Sequence, residues 1–428
     1  MRWLRRRRAA SPLDTPSAFA ERHARLGALL GYSTDFWKST VDWNQGGFFG
    51  LVDYSGRPGP DANKDMMQQV RHLWTFSEIY RFEEDSDEIK AICDHQFKFV
   101  RDCFFVPERS GFHGVVSASG EPVAADVHLY HFAFGIFSLA NYALAFPDSP
   151  DGREALRMAA QVFFNIIQAS FDHTDGFDEN IYPGHWCNDA KEINTQMHLL
   201  EAISYLLEAC RLYEHPDAGE VENILNKQLS LVYMKGIVNQ DGHYFASRGY
   251  DRDWSVVDNW EVDYGHEIEV VFLIMLAASL LGRDREPELV NRVVKLGQRV
   301  CGSAFDSVRG KWFYSGNPIS GKVVHKVANI WTNFEALNGL STMYDLTGEI
   351  EYLNKYDQTI HWLETKQFNV KVGEWYYNVN NRGRPMKKDV YTGDCGWMTY
   401  SWKSSYHSTR ALITQKRWLA AIYLKPDQ

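Results

Sequence analysis

The chain has no stretch of about 18 consecutive apolar residues, so no segment of it reads as a membrane span. Its 428 residues contain no C-x-x-C pair and no zinc-finger spacing, because the six cysteines stand singly at 93, 103, 187, 210, 301 and 395. Scattered thiols in a chain of this size read as buried and reduced, which points to a reducing compartment, most simply the cytoplasm. There is no G-x-S-x-G and no phosphate-cradling glycine loop. Positive charge is in deficit: 45 Lys and Arg against 55 Asp and Glu give a net charge of −10, which argues against nucleic acid as a partner. Basic residues cluster once, at Arg5–Arg8, with no apolar run behind them. Residues 1–13 therefore read as a solvated extension rather than a secretory signal, and residues 14–428 as a single domain.

Aromatic residues are plentiful, at 14% with 14 Trp and 22 Tyr. A ring presents an apolar face and a polar edge, which suits a wide, half-wet cleft as well as a large core. One pattern of glycine followed by aromatics recurs along the chain. It occurs at Gly46-Gly47-Phe48-Phe49, Gly111-Phe112, Asp175-Gly176-Phe177, Asp241-Gly242-His243-Tyr244, Gly310-Lys311-Trp312-Phe313 and Gly373-Glu374-Trp375-Tyr376, spaced by 63 to 68 residues. Between these points, apolar residues recur with helical period. The first helix of a unit is expected at 67–82, 129–145, 193–213, 268–281 and 331–346, and the second at 89–104, 156–169, 221–234 and 289–300. A closing helix is expected at 404–424. Units of about 65 residues are too long for TPR or HEAT repeats. The expected fold is all-α: an (α/α)6 barrel of twelve helices, with short β-hairpin segments at the mouth. An open solenoid is the alternative.

The first helices carry polar pairs at i,i+3 or i,i+4, hence on one face: Asn194/His198, His266/Glu269, Trp331/Glu335 and His407/Arg410. Arg71 and Tyr130 occupy comparable places on the first two. Helices that bring three histidines, an arginine and glutamates to one axis make a site, because buried polar groups must be partnered. His266-Glu267-Ile268-Glu269 lacks the second histidine of a zinc H-E-x-x-H motif, although three remote histidines could still assemble a metal site. Glu269 and Glu335 could flank a glycosidic bond, but that leaves the histidines without a task. Two histidines on opposing walls suit proton transfer at a carbon next to a carbonyl, with Arg71 stabilising the enediolate and Trp331 stacking on a sugar. On this reading Glu269, one turn from His266, orients that imidazole or holds a sugar hydroxyl.

These motifs resemble the N-acylglucosamine 2-epimerase superfamily, in its cellobiose and mannose 2-epimerase branch. The resemblance rests on Gly46–Gly50, Arg71–Ser77, Asn194–Ala202, Tyr264–Glu269, Trp331–Ala336 and Trp402–His407. It implies cofactor-free and metal-free epimerisation at C2 of a reducing sugar. It further implies that His266 and His407 are the two bases, that His198 assists ring opening, and that Arg71 holds the enediolate oxygens. Asn194, Glu269, Trp331, Glu335 and Arg410 match sugar-binding or orienting positions, and Tyr130 is placed with them. The chain departs from the family at Ile330, where a second tryptophan is common, and at Phe272, also a frequent tryptophan. The expected partner is a small sugar, acted on by a monomer or homodimer, with neither nucleic acid nor membrane involved. An aldose–ketose isomerase, an (α/α)6 glycoside hydrolase and a non-catalytic sugar binder are the alternatives.

Overall fold

The computed structural model describes residues 12–423 apart from 126–127, 173–175, 180–189, 258–260 and 390–392. The Arg5–Arg8 run, Asp175 and Cys187 lie outside the described residues. The five described cysteines form no disulfide. None of the described helices is long and apolar enough to cross a membrane.

Among the described residues, twelve α-helices form an (α/α)6 barrel: α1 Pro16–Lys38, α2 Met66–Phe82, α3 Asp87–Phe99, α4 Leu129–Ala145, α5 Pro150–Val162, α6 Ile193–Leu212, α7 Ala218–Leu231, α8 Tyr264–Leu280, α9 Pro287–Ser303, α10 Ile330–Thr347, α11 Ile350–Trp362 and α12 Tyr406–Tyr423. The even-numbered helices pack side by side in a ring, and each is backed by one odd-numbered helix. Sequence explains the division. Outer helices bury a single stripe, as in Ile89, Ile92, Cys93, Gln96 and Phe97 of α3, whereas inner helices such as α4 are buried on nearly every face. Small residues let inner helices approach closely; a Cβ at Gly339 of α10 would lie 2.3 Å from Ile268 of α8.

The glycine–aromatic segments are short hairpins that clamp the start of each inner helix. The fourth residue of the helix reaches back to the hairpin backbone: Gln69 to Phe48, Gln196 to Phe177, Glu267 to Ala246 and Asn333 to Trp312. The two residues that enter a helix also pair with the hairpin of the following unit. Lys64–Asp65 pairs with Val116 and Val115, Val262–Asp263 with Gly316 and Ser315, and Ala328–Asn329 with Val379 and Asn378. The result is a collar of paired backbone around the mouth. Its turns require left-handed residues, and Gly310 and Gly373 take φ of 74° and 82°. A Cβ at either would also lie 2.9 Å from a backbone oxygen of Gln358 or Tyr32.

The ring closes differently from six consecutive hairpins. The sixth unit supplies only α12, and its outer partner is α1, the first helix of the chain. Arg22 of α1 donates to both oxygens of Asp357, at 2.7 and 2.6 Å. Ser33 and Trp37 donate to Glu374 at 2.6 and 3.0 Å, and the buried Lys403 ammonium lies 3.3 Å from the same carboxylate. Glu374 therefore joins the two ends of the chain in a dry seam. Glu374→Ala strands the Lys403 charge, and breaking a buried pair in this way costs about 3–5 kcal/mol. Urea unfolding of Glu374→Ala should show a midpoint lowered to match; an unchanged midpoint would mean that the seam does not carry closure.

Candidate active site

Each inner helix begins at the collar, so the first two turns of every helix face the same opening. They build two tiers. The upper tier comes from the second or third residue of a helix: Tyr130 of α4, Asn194 of α6, His266 of α8, Trp331 of α10 and His407 of α12. One turn deeper lie Arg71, His198, Glu269, Glu335 and Arg410, all at or below 3% exposure. The i,i+3 and i,i+4 pairs of the sequence are thus vertical pairs, one residue above the other. A cavity of about 320 Å³ is lined by Arg71, Tyr130, Asn194, His198, His266, Glu269, Trp331 and His407. Glu335 and Arg410, expected among the sugar-binding or orienting positions, are not among the lining residues and contact His407 and Glu269, which are.

Three lining residues were not among the expected site residues: Tyr314, Tyr377 and Trp402, the last belonging to the Trp402–His407 motif. Tyr314 and Tyr377 fall four residues after the anchoring Gly310 and Gly373, so the repeat itself marks them. Their carbonyls accept the first N–H of α8 and α10, from Tyr264 and Ile330. Trp402 is 49% exposed at the mouth, and its ring lies 6.5 Å from that of His131.

Arg410 is the hub of the lower tier. Its guanidinium donates to Glu201 of α6 at 2.6 Å and to Glu269 of α8, and pairs with Glu335 of α10 at 2.5 Å. Tyr406 donates to Glu201 at 2.7 Å, and Asn338 to Glu335 at 3.0 Å. Each carboxylate that Arg410 holds ionised serves a histidine. His407 Nδ1 is 2.7 Å from Glu335 Oε1, and His198 Nδ1 is 3.0 Å from Glu201 Oε2. An ionised carboxylate only accepts, so each Nδ1 carries a proton and each Nε2 is left basic. Glu269, expected to orient His266 or hold a sugar hydroxyl, accepts from Arg410, with its Oε1 3.8 Å from His198 Nε2. The carboxylate beside His266 is Asp263, 3.5 Å from Nδ1.

Burial sets the charge states. It pushes the His407 imidazole down to about 3 and His198 to about 4, outweighing their carboxylate partners. Burial and the nearby Glu335 charge push the Glu269 carboxyl up. Burial alone would also raise Glu335, but Arg410 and His407 hold it below the ordinary carboxylate range. Glu269 Oε2 and Arg71 Nε have no protein partner although both are buried. Arg71 donates to Tyr130 at 2.7 Å, and its guanidinium lies over the Phe134 ring at 4.3 Å. The Trp331 indole lies 4.9 Å from the His266 ring and 5.8 Å from the His407 ring. It rests on Gly265, where a Cβ would come within 2.2 Å of it. Glu269, Glu335 and His407 bring donor atoms within 4.8 Å of one another, as a metal would require. Arg410 already binds both glutamates, and a dication beside that guanidinium would be repelled.

A model of the N-acylglucosamine 2-epimerase (GlcNAc 2-epimerase) family matches residues 47–400 of the chain. A cellobiose 2-epimerase of Dictyoglomus turgidum is 25% identical over 397 residues, covering 88% of this chain and 93% of that protein. The structure of cellobiose 2-epimerase from Spirochaeta thermophila superposes with a TM-score of 0.83 at 23% identity, over 97% of this chain and 100% of that one. A D-mannose isomerase superposes with a TM-score of 0.76 at 17% identity, over 96% and 100%. These structural likenesses show a shared fold.

The buried histidines predict how stability responds to acid. His72, bonded to Ser405 at 3.0 Å, is pushed down to about 3 by burial and the Lys403 charge, alongside His198 and His407. All three are neutral, folded or unfolded, above about pH 6.5. Below it the unfolded chain takes up the protons first, so stability falls, by about 1.4 kcal/mol per pH unit for each such histidine. The carboxyls of Glu78, Glu179, Glu267 and Glu269, all raised by burial, act oppositely and gain stability as pH falls. Compared with wild type, His72→Gln should show a urea midpoint that falls less between pH 7 and pH 5; an equal fall in both would mean that His72 is not buried neutral.

Proposed function

The chain belongs to the N-acylglucosamine 2-epimerase family and is an enzyme of the carbohydrate epimerase type, and from that premise we propose that it inverts C2 of a reducing aldose. The substrate is of the glucose/mannose type, free or at the reducing end of a β-1,4 disaccharide such as cellobiose. The observation that carries this reading is the placement of His266 and His407. They come from α8 and α12, the two helices that flank α10, and line one cavity with Trp331, whose ring lies 4.9 Å from His266 and 5.8 Å from His407.

The reaction follows from the charge states. The sugar ring opens with His198 moving a proton between ring oxygen and O1. One imidazole then takes the C2 proton, and the C–H electrons pass into the C1 carbonyl to give an enediolate. Arg71, with a buried unpaired Nε, balances the oxyanion charge. The other imidazole, protonated, returns a proton to the opposite face of C2, and the ring closes. His407, neutral and oriented by Glu335, is equipped to accept; His266 stands beside a carboxylate that stabilises an imidazolium. Glu269, driven toward its protonated form, has Oε2 free to donate to a sugar hydroxyl. Trp331, Asn194 and Tyr130 hold the sugar. The half-exposed Trp402 offers a second ring a platform, which supports a disaccharide as well as a monosaccharide. Cation charge at the enediolate comes from Arg71, and on this reading the reaction uses neither metal nor other cofactor. The catalytic domain is read as one unit from residue 14, and no second protein is required.

Incubation with glucose, mannose, cellobiose and N-acetylglucosamine, followed by product analysis, tests the proposal. A C2 epimer of at least one of the first three should form, and its rate should survive prolonged dialysis against EDTA. His266→Ala and His407→Ala should each lose about 10²–10⁴-fold. Free glucose from cellobiose would favour a hydrolase, a ketose product the isomerase reading, and full activity in His407→Ala would remove that residue from the chemistry.

A further inference from the structure

Asp263 occupies the N-cap of α8, where an aspartate ordinarily accepts from the helix's own exposed N–H groups. The aspartate and the asparagine that hold this place in two other units do so, whereas Glu192 of α6 and His128 of α4 do not. Asp65 accepts from Met67 N at 3.0 Å at the head of α2, and Asn329 from Trp331 N at 2.9 Å at the head of α10. Asp263 has the same extended backbone and the same pairing with the next hairpin, yet makes no side-chain cap. Its carboxylate is turned elsewhere. Arg248 grips both oxygens, with Nη2 2.6 Å from Oδ1 and Nε 3.1 Å from Oδ2. Oδ2 also lies 3.5 Å from His266 Nδ1. Arg248 is itself held by Glu261 at 3.3 Å, and Glu261 accepts from Ser315 at 2.6 Å, with His325 at 3.8 Å.

We propose that Asp263 is the positioning residue of the His266 base: it surrenders its helix cap to hold Nδ1, so that Nε2 faces the cavity. The inference rests on the epimerase reading and deepens it. With it, all three histidines of the site share one arrangement, an Nδ1 against a carboxylate: Glu201 for His198, Asp263 for His266 and Glu335 for His407. The carboxylates differ in how they are held. Glu201 and Glu335 are fixed by Arg410 inside the barrel, whereas Asp263 is fixed by Arg248 on the collar. His266 thus takes its orientation from the mouth and His407 from the core. The charged and titratable groups that face His266 are Asp263, Arg248 and Glu261 on the collar side, and Arg71, Glu269 and His407 across the cavity.

The Asp263→Asn variant of the full chain tests this, read by NMR in D2O as loss of the C2–H signal from each of the two epimers separately. The carboxylate favours the protonated form of His266, so its loss weakens that histidine as a base and spares His407. Exchange from the epimer whose C2–H faces His266 should slow about 10- to 100-fold, the loss typical of removing a partner that orients a histidine. Exchange from the other epimer should fall at least tenfold less, and the basic limb of that epimer's pH profile should shift to lower pH. Asp263→Glu should restore part of the lost exchange, and thermal unfolding of both variants should stay close to wild type. Equal slowing from both epimers, or slowing matched by lost stability, would mean that Asp263 is only structural. Unchanged exchange would overturn the proposal outright. Failure of the underlying reading looks different: wild type would then exchange C2–H from neither epimer.

Discussion

The site depends on one buried cation. Arg410 takes its guanidinium out of water and binds glutamates from α6, α8 and α10, so α12 is tied to three of the five other inner helices through a single side chain. Inner helices are apolar on almost every face, and apolar packing alone tolerates many rotations and shifts of one helix against another. A charged, hydrogen-bonded centre tolerates few. Removing it would leave two ionised carboxylates buried without a counter-ion, the situation in which breaking a buried pair is most costly. The same hub sets the chemistry. By holding Glu201 and Glu335 ionised it fixes the tautomers of His198 and His407, while burial and the Glu335 charge push the third carboxyl, Glu269, up against the pull of Arg410.

The collar does for the upper tier what Arg410 does for the lower. A residue at the second position of a helix is only as well placed as the helix end, and helix ends fray unless their backbone groups are satisfied. Here the fourth residue of the helix binds the hairpin, the entering residues pair with the next hairpin, and a hairpin carbonyl takes the first helical N–H. Trp331 is held by all three devices and by the Asn329 cap. Because each hairpin serves two neighbouring units, the mouth is stiffened as a ring rather than unit by unit.

Much of this was legible in the sequence because the repeat is. Glycine–aromatic anchors at near-constant spacing gave the units, apolar period gave the helices to within a few residues, and i,i+4 spacing gave the vertical pairs. The helix at Pro16–Lys38 was not counted, since the repeat begins at Gly47 and closure through the first helix is a long-range fact. Spacing gives a face of a helix and not a depth, so it left open whether Glu335 and Arg410 bind a sugar or orient another residue. Glu201 was within reach, three residues after His198. Asp263 was not: periodicity pairs His266 with Glu269 below it, and only the hairpin carrying Arg248 shows why the carboxylate above it turns inward. Tyr314 and Tyr377 needed only the repeat register, whereas Trp402 sits on a connection with no counterpart in the other units.

The central claim is that two imidazoles work on opposite faces of one carbon through an enediolate. Single-turnover conversion of a 2-aldose in D2O, with position-resolved NMR of the product, tests it most directly. The account predicts an epimer carrying deuterium at C2 and none at C1, since the returning proton comes from a base that exchanges with solvent. An epimer with no deuterium at C2, formed at full rate, would contradict it.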